Sequence, residues 1–183
     1  MRYRYLTPLV CGLLSLSCSN TLTGPTNGGN LLTNSTFEIA GHPSLMGWNV
    51  ADTSVAHFSK DLPTGGSGSS IVMHAAWFAP WPDNSIYTAV IPQTGSHVYT
   101  LSIFAKDTRL GGVVSVYINR PGSPNSSSAA TLRANDSSWT YYSQTDTIST
   151  SPGDTIFVAI SGGGTELLAG TTYFNTCRLV EVQ

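Results

Sequence analysis

The sequence predicts an all-β sandwich of two packed sheets, and three observations carry that expectation. Short runs rich in Val, Ile, Thr and aromatic residues alternate apolar and polar side chains with the period of two that a half-buried strand requires, and no segment shows a helical period. Clusters of Gly, Pro, Asn and Ser separate these runs, with 18 glycines and 10 prolines in 183 residues. Only 10% of residues are charged while 40% are hydrophobic, which excludes both a disordered polyelectrolyte and an assembly of long surface helices.

In chain order, residues 1–17 read as an export leader. Arg2 and Arg4 form a basic start, Leu9 to Leu16 an apolar stretch, and Ser15 and Ser17 the small residues that follow. No apolar run reaches the roughly 18 residues that a spanning helix needs. Residues 18–29 are polar, rich in Gly and Pro and without periodicity, as a flexible tether would be. The folded domain is expected over residues 30–183. Its clearest strand is Val113 to Asn119, where Val114, Val116 and Ile118 alternate with Ser115, Tyr117 and Asn119. In His97 to Lys106, Tyr99, Leu101, Ile103 and Ala105 share one face, and the other, with Thr100, Ser102 and Phe104, is polar and aromatic. Further strands are expected at Ser70 to Ala76, Ile86 to Pro92, Trp139 to Thr147, Thr155 to Ser161 and Thr172 to Val182. Turns fall at Thr64 to Gly68, Leu110 to Gly112, Pro121 to Pro124, Pro152 to Asp154 and Gly162 to Gly164. About eight strands of this length suffice to close a two-sheet core.

Charge and cysteine usage narrow the function. The net charge is −2 with no Lys/Arg cluster, so nucleic acid is excluded as a partner. Of three cysteines, Cys11 lies in the leader, leaving Cys18 and Cys177. A disulfide framework is excluded; the single bridge open to the chain without its leader would join Cys18 to Cys177 and would need the tether to reach the last strand. His42, His57, His74 and His97 are not spaced as zinc ligands, and no HExxH or CxxC occurs. No serine sits on a strand-to-helix elbow. The carboxylates fall mostly in turn-like segments without the pairing that glycoside hydrolysis needs, so no catalytic residues are expected.

Two resemblances extend this reading. Leu14-Ser15-Leu16-Ser17-Cys18-Ser19-Asn20 resembles a bacterial lipoprotein signal, which implies acylation of Cys18 and a chain exported and lipid-anchored at the outer membrane or cell surface. Ser15 stands where that signal usually has Leu, and an ordinary secretory signal with an incidental Cys18 is the alternative. In the domain, Asn30-Leu31-Leu32-Thr33-Asn34-Ser35-Thr36-Phe37-Glu38 followed by Gly47-Trp48 resembles the opening of galactose-binding-like jelly rolls, particularly the family 4 and family 9 carbohydrate-binding modules. Tyr99 to Lys106 is similar to their central strand, and Trp139 with Tyr173 to Leu179 to their closing strands. The resemblance spans nearly all of residues 30–183 and implies a galactose-binding-domain-like jelly roll that binds an oligosaccharide or polysaccharide.

It also implies site residues. Relatives often hold a structural calcium ion with the opening Glu, a closing Asp and backbone carbonyls, the two side chains here being Glu38 and Asn175. The neutral amide should weaken such a site, and a Glu–Asn hydrogen bond is the alternative. Cys177 stands where Val is usual and reads as a small buried hydrophobe. The loop Ala76 to Asn84 places Trp77 and Trp81 among prolines, where stiffly held indoles could stack on a sugar ring while Asp83 and Asn84 bond its hydroxyls. The alternative is a hydrophobic plug at the end of the sandwich. Tyr142 and Gln144 share one strand face and are further binding candidates. Trp48 and Trp139 stand where the family packs its core. The expected function is therefore a non-catalytic carbohydrate-binding surface lipoprotein. Its rival is a structural or adhesive protein contacting a neighbouring surface protein through the same sandwich.

Overall fold

The computed structural model describes residues 29–50, 54–75, 85–108, 111–123, 126–162, 164–165 and 168–182, and among these every regular element is a strand. In chain order they are β1 (Glu38–Ile39), β2 (His42–Pro43), β3 (Asn49–Val50), β4 (Ala56–Ser59), β5 (Ser70–Ala75), β6 (Ser85–Val90), β7 (Gly95–Asp107), β8 (Gly112–Asn119), β9 (Ser127–Ala134), β10 (Thr140–Thr150), β11 (Thr155–Ser161), β12 (Gly164–Thr165) and β13 (Leu168–Val182). One sheet runs β10-β7-β13-β5-β4, with β12 on β13; the other runs β3-β6-β11-β8-β9, and β1 and β2 form a small hairpin. No described helix is long and apolar enough to cross a membrane. The residues expected to form a leader, Cys18 and most of those expected to form a tether lie outside the described residues.

Strand periodicity decides which side chains meet between the sheets. The odd residues of β7, namely Tyr99, Leu101, Ile103 and Ala105, are buried against Val114, Val116 and Ile118 of β8, Ile156, Val158 and Ile160 of β11, and Phe174 and Leu179 of β13. Each fully buried Leu, Ile or Phe contributes about 1.5–3 kcal/mol of apolar transfer. All seven expected strands form. β13 begins earlier than expected, at Leu168, and β10 runs on to Thr150. β9 was not expected, because its Ser/Ala-rich sequence has low strand propensity. Its Ala130, Leu132 and Ala134 nevertheless alternate inward, packed through the β8 pairing.

The opening segment is organised by Asn34. Its Nδ2 donates to the carbonyls of Ser44 (2.8 Å) and Met46 (3.0 Å), and its Oδ1 accepts from the Glu38 amide (2.8 Å). Its carbonyl accepts from Trp48 Nε1 at 3.1 Å, and the Trp48 ring packs on Phe37 in the core at 5.4 Å. Asn34 adopts φ 54°, a conformation Asn tolerates, and Ser35 is not among the positive-φ residues. Asn30 locks the segment to the last strand, its Oδ1 accepting from the Leu179 amide at 3.0 Å.

At the far end of β7, His97 Nδ1 lies 2.7 Å from Glu181 Oε1, and Nε2 lies 3.2 Å from the Thr94 carbonyl. Two acceptors facing both ring nitrogens suit the imidazolium, which donates from each. The Thr94 carbonyl first, then Glu181, raises the His97 pKa above the ordinary 6.5. A raised folded value contributes stability that is fully present below the unfolded pKa and is lost as pH rises through the folded one. The thermal midpoint of the native chain is expected to decline across that window above pH 6.5, and that step should be missing in His97→Phe. Identical profiles for the two chains would contradict the assignment.

Candidate functional site

The face of the larger sheet turned away from the core carries a cluster of aromatic and charged groups. Because Tyr99, Leu101, Ile103 and Ala105 face inward, Thr100, Ser102, Phe104 and Lys106 of β7 face outward. Register then sets their neighbours. Tyr141 of β10 lies opposite Phe104, and Tyr173 of β13 lies opposite Lys106. The Phe104 and Tyr141 rings are 5.0 Å apart, and Tyr141 is 47% exposed. Trp139, just before β10, meets Tyr173 edge-on at 6.3 Å and 74°. Lys106 Nζ sits 4.5 Å from the Tyr173 ring centroid and 5.4 Å from that of Trp139, within cation–π range of both.

Asp61 fixes this cluster from the loop after β4. One carboxylate oxygen accepts from Trp139 Nε1 at 3.0 Å, and the other forms an ion pair with Lys106. The loop itself is held by Ser70 Oγ, which donates to the Asp61 carbonyl at 2.6 Å and the Ser59 carbonyl at 3.1 Å. Lys106, and secondarily the Trp139 indole, hold the Asp61 carboxyl below its usual range, so it stays ionised and keeps both partners oriented. Further along the face lie Ser143 and Arg178 beside the buried Ser102, then Thr145, whose hydroxyl is hydrogen-bonded at 2.8 Å to that of the buried Thr100. Chemically this is a row of preoriented aromatic rings bordered by hydroxyls and a guanidinium. Such a surface meets the apolar C–H face of a sugar ring while bonding its rim hydroxyls.

The expected site residues distribute differently. Trp77, Trp81, Asp83 and Asn84 lie outside the described residues; β5 and β6, which flank them, belong to different sheets. Tyr142 and Gln144 do share a face, the inward one. The Tyr142 hydroxyl accepts from the Asn135 and Asp136 amides (3.2 and 3.1 Å) and donates to Asp136 Oδ2 (2.7 Å), tying down the loop before β10. Gln144 donates to Asp146. Trp139, expected in the core, instead stands half-buried on the outward face. Thr140 pairs with inward-facing Ala105, so Trp139 and Tyr141 take the opposite parity. Trp48 is buried in the core, as expected. Asp61, Lys106, Phe104, Tyr141 and Tyr173 were not foreseen as a site. The one signal for them was the polar and aromatic second face of β7.

No hydrogen bond joins the Glu38 and Asn175 side chains. Ser69 Oγ donates to Glu38 Oε2 at a long 3.4 Å, while Asn175 Nδ2 donates to the Ser67 and Ser69 carbonyls at 3.0 and 3.1 Å and Asn175 Oδ1 accepts from Thr176 Oγ1 at 2.8 Å. As placed, these residues do not fit a calcium ion. Asn175 turns its amide donor rather than its oxygen toward the Ser67 and Ser69 carbonyls, and no group of three His, Cys, Asp or Glu side chains that could hold a metal occurs among the described residues. Adding a chelator is expected to leave the unfolding midpoint unchanged, and a fall would overturn this reading. Cys177 is fully buried and its thiol pKa is pushed up by burial, the environment of an inert packing residue.

The fold is the jelly-roll sandwich of the carbohydrate-binding modules. Among solved structures, the chain is similar to a family 16 carbohydrate-binding module, with a TM-score of 0.58 at 19% identity over 83% of this chain and 100% of that one. It is likewise similar to the CBM22-1 xylan-binding domain of Paenibacillus barcinonensis, with a TM-score of 0.57 at 14% identity over 85% and 96% of the two chains. A family 61 module solved with β-1,4-galactotriose matches with a TM-score of 0.50 at 16% identity over 84% and 99%. No protein-family model and no curated protein matches the sequence.

Proposed function

We propose that this chain is a non-catalytic carbohydrate-binding protein that holds an oligosaccharide or polysaccharide on the outward face of its larger sheet, across Trp139, Tyr173, Phe104 and Tyr141. The observation that carries the proposal is the Asp61 anchor. A carboxylate that orients an indole and a lysine on an otherwise open sheet face prepares a surface for a ligand rather than for the protein's own core. The shared fold with modules solved as a galactotriose complex and as a xylan-binding domain supports the same class of ligand. A non-catalytic role is supported by the carboxylates: Asp107 and Asp154 clamp turns, Asp136 anchors Tyr142, and Glu181 pairs with His97.

In this proposal Cys18 carries a lipid, residues 18–29 form a tether, and the domain works at the surface of a bacterial membrane, where a neighbouring protein could share the captured glycan. Retention of the full chain on a panel of plant, algal and bacterial polysaccharides is the test. Binding to at least one is expected, and binding to none would overturn the function. Trp77→Ala and Trp81→Ala, measured beside Trp139→Ala, separate a contribution of the loop from that of the sheet. Radiolabelled palmitate is expected to enter the native chain and not Cys18→Ser; secretion with the residues ahead of Cys18 still attached would exclude the anchor.

A further inference from the structure

A cleft at the edge of the sandwich shares with this platform the Ser59–Leu62 segment, which carries Asp61. Phe58 on β4 pairs with Ile71, which is wholly buried, so both side chains share the inward face of the larger sheet. Yet Phe58 is 43% exposed, because β4 is the last strand of its sheet. Beside it opens a cleft of about 450 Å³ between the β1–β2 hairpin and the segment after β4, within the size range of small-molecule sites. Phe58, Pro43 and Leu62 give it apolar surface, and Glu38, Lys60 and Ser69 give it polar groups.

The charged groups of this cleft are underused. Among the described residues neither Glu38 nor Lys60 enters an ion pair. Ser69 supplies Glu38 with one long hydrogen bond at 3.4 Å, although a carboxylate offers about four acceptor positions. We infer that this cleft is a second saccharide site, taking a single uncharged sugar residue whose ring stacks on Phe58 and whose hydroxyls donate to Glu38 and accept from Lys60. A hydroxyl both donates and accepts, which matches a carboxylate and an ammonium on one rim. Glu38 and Lys60 together leave the cleft with one charge of each sign, so neither an acidic nor a basic ligand is favoured over a neutral one. The ligand class follows from the chemistry of the cleft and does not depend on the sheet platform binding anything.

The test is an amide chemical-shift titration of the full chain with xylose, galactose, glucose and β-1,4-galactotriose at millimolar concentration. Saturable shifts are expected at Glu38, Phe58, Ser59 and Ser69. They should persist in Trp139→Ala and weaken about tenfold or more in Phe58→Ala. Glu38→Gln, which keeps the shape of the side chain, is expected to weaken them as well and guards against misfolding of the Phe58 variant. Absence of saturable shifts at these amides with every probe overturns the inference, as does their survival in both cleft variants. Shifts at Phe104, Tyr141 and Tyr173 report the platform separately, so failure of one site is distinguishable from failure of the other.

Discussion

Trp139→Ala is expected to weaken saccharide binding by about thirtyfold or more, corresponding to about 2 kcal/mol, while leaving the domain folded. The indole is the largest ring of the platform, and Asp61 holds it in position before any ligand arrives, so little ordering entropy opposes stacking. Truncation also frees Asp61 from one of its two side-chain partners and leaves Lys106 and Tyr173 less well braced. Because Trp139 is only half-buried and lies outside the core, the cost in folding stability should stay near 1 kcal/mol or below. Isothermal titration against a retained polysaccharide, paired with a thermal melt, measures both quantities. Unchanged affinity in this variant, with binding intact, would move the site away from this face of the sheet.

A second large effect is expected at Asn34. Asn34→Ala should destabilise the domain by about 3 kcal/mol, through loss of three side-chain hydrogen bonds at about 1 kcal/mol each. The left-handed backbone at φ 54° adds a further penalty of about 1 kcal/mol for alanine, offset in part by the exposure of the Met46 carbonyl bond. Asn34→Gly removes the backbone penalty alone, so comparing the two variants separates conformation from bonding. Urea unfolding provides the measurement: the midpoint should fall with an unchanged slope. A loss under about 1 kcal/mol would mean that Phe37 and Trp48 hold this segment without the asparagine.

The central strand was legible from its own alternation, and the opening motif from its resemblance to a family pattern; the structure shows the local chemistry behind both. Asn34 has few conformations that satisfy its amide and backbone together, and Phe37 and Trp48 are apolar enough to be core residues in any sandwich. The apolar parity of β7 and β8 likewise points one way, since one face of each strand is almost wholly aliphatic. β10 is different. Both of its faces are polar, with Tyr141, Ser143, Thr145 and Thr147 on one and Thr140, Tyr142, Gln144 and Asp146 on the other. Nothing local says which parity faces the core, so the resemblance alone placed Trp139 inside, and the face shared by Tyr142 and Gln144 offered both as ligand contacts.

Periodicity and turn chemistry determined by themselves that this chain builds a two-sheet β-sandwich, since each rests on residues close in sequence, and the resemblance of the opening, central and closing segments specified the jelly roll. The partnership of Asp61 with Lys106 and Trp139 was decided only in three dimensions. It joins residues 45 and 78 positions apart through the pairing of β10, β7 and β13. A platform assembled across strands has no signature along any one of them, because the register that aligns its side chains is set by the packing of the whole core.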